Sequence, residues 1–140
     1  MRIVLDTSVL VAALRSRSGA GNAVLRLVAQ RRLILLATAP LFLEYEDVLN
    51  RPEHRLVHGL SPQQLDSFLQ ELAALIEPVE LHFRWRPQVH DTNDEMVLET
   101  AINGDARALV TYNTADFSVA AERFGIPVLT PAQLLKKVKP

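Results

Sequence analysis

The chain contains no cysteine. Disulfides and thiolate metal sites are therefore excluded, and a reducing cytoplasm is the expected location. It also lacks any apolar run near the roughly 18–20 residues that span a membrane, so no membrane partner is expected. The N-terminal MRIVLD meets a charge at Asp6, too early for a signal-peptide core, and none is expected. Repeats, linkers and low-complexity stretches are missing. His54, His58, His82 and His90 show no paired ligand spacing and read as surface or loop residues. Lysine is scarce, and all three lysines fall within the last five residues.

What is present suits one ordinary domain, expected over residues 1–140. The chain has 140 residues and is 49% hydrophobic, enough for a real core. Its net charge of -1 hides an asymmetry. Residues 1–35 hold six arginines (Arg2, Arg15, Arg17, Arg26, Arg31 and Arg32) against Asp6 alone, whereas residues 40–100 hold twelve acids against four bases. A basic patch can attract phosphates and an acidic cluster can hold a cation, although both can also be plain solvated surface.

Hydrophobic periodicity gives alternating elements. RIVL (2–5) and LILLA (33–37) read as buried strands, ALVTY (108–112) and IPVLT (126–130) as two more, and the alternating VELHF (79–83) as a short or edge strand. Helices are expected over 8–16, from Asn22 as a cap to Arg31, and from Thr38 and Pro40 to a stop near Arg51–Pro52. Others are expected over 61–77 behind a Ser61 capping box, from Thr92 to Gly104, around Ser118–Phe124, and after Thr130. Strands alternating with helices predict a parallel sheet covered by helices on both faces. In such sheets function gathers at the carboxyl ends of the strands.

Asp6 interrupts the apolar run IVLDTSVL and needs a reason, because desolvating an unpaired carboxylate costs several kcal/mol. It could cap a helix, pair with an arginine, or bind a cation with carboxylates from elsewhere in the chain. Asp6 follows the first strand directly, Asp116 follows ALVTY after a short turn, and Glu44 lies one turn into the helix after LILLA. All three can converge at the sheet's carboxyl edge. Asp94 joins them if its helix begins at that edge too. Its bland alternative is a favourable place near a helix N-terminus, worth roughly 0.3–1 kcal/mol. At 4 Å and an effective dielectric of about 20, each like-charged pair costs roughly 4 kcal/mol. Such a cluster needs protonation or a cation, and hard oxygen ligands favour Mg²⁺ or Mn²⁺.

DTSVLVAAL (6–14), APLFLEYEDVL (39–49), DEMVLETA (94–101) and LVTYNTADF (109–117) together resemble the ordered motifs of PIN-domain nucleases, most closely the VapC-type toxins of toxin–antitoxin pairs. None of the four is specific by itself, but the set, in this order and spacing, is. The resemblance runs from residue 1 to about residue 130. It implies a three-layer α/β/α fold around a parallel, about five-stranded sheet. It implies a Mg²⁺- or Mn²⁺-dependent endoribonuclease with an acidic quartet of Asp6, Glu44, Asp94 and Asp116. Thr7 or Ser8 matches the hydroxyl after the first acid, and Thr111 and Asn113 match the polar positions of the turn before the fourth. The implied partners are RNA, a cognate antitoxin, and a second copy of the chain in a homodimer or higher homo-oligomer.

Some positions depart from the family pattern or stay open. HDTNDE (90–95) lacks the proline that many relatives carry there, and Asn113 replaces the aspartate of a common variant. Asp91 and Glu95 are auxiliary ligands or surface. Arg15 and Arg17 grip RNA, an acidic antitoxin tail, or nothing. Trp85 between Arg84 and Arg86 stacks on bases or packs at an edge or dimer interface. The alternative function is a catalytically idle PIN-like scaffold.

Overall fold

A computed structural model of the protein describes residues 1–82 and 92–138, without the side chains of Thr92 and Asn93. The strands are β1 (Arg2–Leu5), β2 (Ile34–Ala37), β3 (Ile76–Pro78), β4 (Ala108–Val110) and β5 (Val128–Leu129). Every pairing is parallel, and the strand order is β3-β2-β1-β4-β5. Among the described residues the helices are α1 (Thr7–Arg15), α2 (Ala20–Ala29), α3 (Ala39–Leu49), α4 (Pro52–His58), α5 (Pro62–Leu75), α6 (Thr92–Asn103), α7 (Thr114–Arg123) and α8 (Pro131–Lys137). The architecture is the expected three-layer α/β/α arrangement.

Ile3, Val4, Leu5, Leu109 and Val110 are completely buried. Strands buried on both faces are what a parallel sheet sandwiched by helices requires, and this is why their sequences are apolar without alternation. From β1 the chain winds outward through β2 and β3, and it later returns to the other side of β1 with β4 and β5. The winding direction therefore switches beside β1. Such a switch opens a crevice outside the carboxyl ends of the central strands.

Two local devices fix the helices that border this crevice. Thr38 caps α3, its hydroxyl accepting from the Leu41 amide at 3.3 Å. The same hydroxyl lies 3.1 Å from that of Thr100 in α6, whose own proton goes to the Met96 carbonyl at 2.8 Å. Thr38 must then be the donor to Thr100, and a buried chain of hydrogen bonds ties the start of α3 to α6. Tyr45, fully buried in α3, donates to the Leu5 carbonyl at the end of β1. Burial, reinforced by the nearby negative charge of Asp6, pushes its phenol well above the ordinary tyrosine range.

Several expected elements are displaced. The third strand lies at Ile76–Pro78, three residues before the expected 79–83. Val79 and Leu81 are half-buried while Glu80 and His82 are exposed, so the alternation is real. Pairing with β2 nevertheless runs over Leu35–Ala37 and ends with the Val79 amide on the Ala37 carbonyl. Residue 83 falls outside the described residues. Helix α2 begins at Ala20 behind Gly19, so Asn22 is not its cap. The Asn22 side chain instead donates to the Ala13 carbonyl in α1 and accepts from Arg26. Helix α4 was not expected at all: Pro52, read as a stop, occupies the first turn of a new helix that closes at Gly59 with φ +67°. Helix α7 starts at Thr114, four residues early. The capping boxes at Ser61 and Thr130 are both formed.

Candidate functional site

A cleft of about 430 Å³ opens at the carboxyl edge of the sheet. Asp6, Glu44 and Asp94 line it together with Thr7, Ser8, Arg15, His54, Tyr112 and Asn113. Each acid arrives on a different element. Asp6 is the first residue after β1, Glu44 stands in α3 after β2, and Asp94 lies in the first turn of α6. The start of α6 thus reaches the same edge as the other two.

Asp6 occupies the N-cap position of α1, but its side chain makes no capping hydrogen bond. Among the described residues no ion pair joins it to an arginine. Two hydroxyls converge on one of its oxygens instead: Ser8 donates to Oδ2 at 2.8 Å and Thr111 at 2.7 Å. Asp6 is only 6% exposed, and these two bonds satisfy an oxygen that burial takes away from water. The network continues through the backbone. The Asn113 amide donates to Thr111 Oγ1 at 2.9 Å, and the Tyr112 amide approaches Ser8 Oγ at 3.5 Å. Thr111 comes from the end of β4, so the bond to Asp6 crosses the crevice between the two central strands.

Asp116 is placed differently. It is exposed in the first turn of α7, with its amide on the Asn113 carbonyl, and it does not line the cleft. Arg15 lines the cleft and Arg17 does not. Glu95 and its neighbour one turn on, Glu99, are buried in α6 at 4% and 1% exposure. Asp91, His90 and the segment with Arg84, Trp85 and Arg86 fall outside the described residues.

The sequence reading missed two residues here. His54, read as surface or loop, lines the cleft because the unexpected α4 carries it there. Tyr112 looked like the end of a strand but is an exposed ring in the cleft. Thr111 was named only through the family pattern, and the structure gives it a definite partner in Asp6.

The donor set suits a hard divalent cation: carboxylates and hydroxyls line the cleft and thiolates do not exist in the chain. Among the described residues no three His, Asp or Glu side chains are gathered closely enough to enclose an ion. An ion held here would have to take only one or two direct carboxylates and keep several waters, as Mg²⁺ does.

Among the described residues no helix is long and apolar enough to cross a membrane. A comparison with curated proteins finds no match. The family model described as PIN domain matches residues 2–115, a span that contains Asp6, Glu44 and Asp94 and ends one residue before Asp116. With most of its length matched, and with the three-layer fold that the match implies, the chain belongs to the PIN domain family.

Proposed function

We propose that the protein is a metal-dependent endoribonuclease that hydrolyses RNA phosphodiester bonds, with residues 1–140 forming one PIN domain. One observation carries this reading: Asp6, Glu44 and Asp94, from three separate elements, line a single cleft at the sheet's carboxyl edge. PIN domains are generally divalent-metal-dependent nucleases, and the donor set is of the hard-oxygen kind that Mg²⁺ or Mn²⁺ takes. Asp6, Glu44 and Asp94 would hold the ion, one or two directly and the rest through its waters. Asp116, one turn beyond the cleft-lining Asn113, is assigned to the site by the family resemblance alone; Thr7, which lines the cleft, and Asp91 and Glu95, which flank Asp94 in sequence, are assigned auxiliary roles. A divalent ion bound there supplies a more acidic water and neutralises charge developing on the phosphate.

The chain's own residues do the rest. Ser8 and Thr111 hold the Asp6 side chain in one orientation, so it needs little reorganisation when the site is loaded. The Thr38–Thr100 link keeps the helices of Glu44 and Asp94 at a fixed separation. Arg15, on the cleft wall, offers a guanidinium to the RNA backbone.

The resemblance to VapC-type chains extends the proposal. The protein would be the toxin of a type II toxin–antitoxin pair, acting in the cytoplasm, held by a cognate antitoxin and assembled as a homodimer or higher homo-oligomer. The direct test is cleavage of a labelled single-stranded RNA. Mn²⁺ or Mg²⁺ should support cutting, excess EDTA should stop it, and Asp6→Asn should abolish it. Full cleavage in EDTA, or by the Asp6→Asn variant, would overturn the reading, and a folded wild type that never cuts RNA would leave the scaffold alternative standing.

A further inference from the structure

We propose that Tyr112 is a stacking platform that receives an unpaired nucleobase beside the cleft; the inference rests on the ribonuclease reading above. Tyr112 lines the same cleft as the three acids and is 44% exposed. Its neighbours on both sides belong to the network around Asp6. Thr111 donates to Asp6, Asn113 donates to Thr111, and the Tyr112 amide itself approaches Ser8. The far end of the ring is placed as well. A methyl group added to Gly21 of α2 would sit 3.4 Å from the Tyr112 hydroxyl. The ring thus reaches from the end of β4 toward α2.

An accessible aromatic ring at this place matches a specific chemistry. Every nucleobase has a π-face, so stacking on tyrosine tolerates any sequence. A base inside a duplex already has both faces covered, and only an unpaired base can use the ring. The acidic cleft by itself repels an RNA backbone. Affinity must come from other groups, and the cleft wall supplies two: the Tyr112 ring for a base and the exposed Arg15 guanidinium for a flanking phosphate.

The test uses the full chain in Mn²⁺, on the Asp6→Asn background so that the probe is not consumed. The probe is an eight-nucleotide RNA carrying one 2-aminopurine, moved along the strand, with a hairpin duplex as comparison. At one position the fluorophore should be quenched on binding. Tyr112→Ala should weaken single-strand binding about 5- to 150-fold and remove that quench. Tyr112→Phe and Tyr112→Trp should keep both, and Tyr112→Leu, which restores apolar bulk without a ring, should not. Duplex affinity should change less than about twofold in every variant.

Unchanged single-strand affinity in Tyr112→Ala, full binding by Tyr112→Leu, or equal losses for single strand and duplex would each overturn the proposal. Circular dichroism and thermal melting confirm that the variants are folded. Wild-type protein that cuts RNA while Tyr112→Ala binds and cuts equally well would remove this inference alone. Wild-type protein that neither binds nor cuts RNA would remove the ribonuclease reading along with it.

Discussion

Thr111 donates a 2.7 Å hydrogen bond to Oδ2 of Asp6, across 105 positions of sequence and across the crevice between two adjacent parallel strands. This bond gives the first acid of the cleft a fixed orientation from a neighbouring strand. Thr111→Val keeps the shape and removes the donor. It should reduce Mn²⁺-dependent RNA cleavage about 10- to 100-fold, the usual scale for losing a group that orients a ligand. Thr111→Ser should recover most of the rate. Wild-type activity in Thr111→Val would mean that the orientation of Asp6 does not matter to the reaction.

The Thr38–Thr100 pair makes a prediction about stability. In Thr100→Val the buried Thr38 hydroxyl loses its acceptor, and a buried unsatisfied polar group costs about 1–3 kcal/mol. Urea denaturation should register that loss, and Thr100→Ser should restore it. Because the pair joins the helices that carry Glu44 and Asp94, Mn²⁺ binding should weaken in the same variant. A stability equal to wild type would show that the link between α3 and α6 is dispensable.

Tyr45 gives a pH prediction whose sign follows from burial. Its folded phenol is raised above the ordinary value of 10.0, chiefly by desolvation and secondarily by Asp6. The unfolded chain therefore releases this proton first as pH climbs past about 10, while the folded chain retains it. The folded state then binds more protons than the unfolded state, so stability falls with rising pH. Below that pH the contribution is fully present. Tyr45→Phe removes the titration, so its melting temperature should decline less steeply than that of the wild type between pH 9 and 11. Its melting point at pH 7 should be somewhat lower, since the hydrogen bond to Leu5 is lost. Parallel melting curves across that range would contradict this account of Tyr45.

The fold was legible where local chemistry and tertiary need agree. RIVL and LILLA are apolar without alternation because both faces of the sheet are covered, and Ser61 and Thr130 announce their helices through side-chain and backbone bonds made within four residues. It was less legible where pairing decides. The position of β3 is set by its bonds to β2, which the sequence of 76–83 does not contain. Pro52 illustrates an ambiguity of a different kind, since proline ends one helix and starts the next with the same fixed φ.

The candidate site divides along the same line. Asp6 stood out because a carboxylate breaks an apolar run, and Glu44 and Asp94 followed from strand-end and helix-start positions. His54 and Tyr112 did not stand out, because the Asp6 and Ser8 with which they share the cleft wall lie more than 40 residues away in sequence. Asp116 shows the reverse. The motif points to it, and the structure places it exposed in the first turn of α7, one turn after the cleft-lining Asn113.

The central claim is that the cleft lined by Asp6, Glu44 and Asp94 takes up a divalent ion through those carboxylates, directly or through the ion's waters. Electron paramagnetic resonance of Mn²⁺ titrated with the protein measures this directly, without RNA. Wild type should take up one or two Mn²⁺ per chain, and Asp6→Asn, Glu44→Gln and Asp94→Asn should each weaken that uptake about tenfold or more, because affinity follows the number of charged ligands. Equal Mn²⁺ affinity in the wild type and all three folded variants would contradict it.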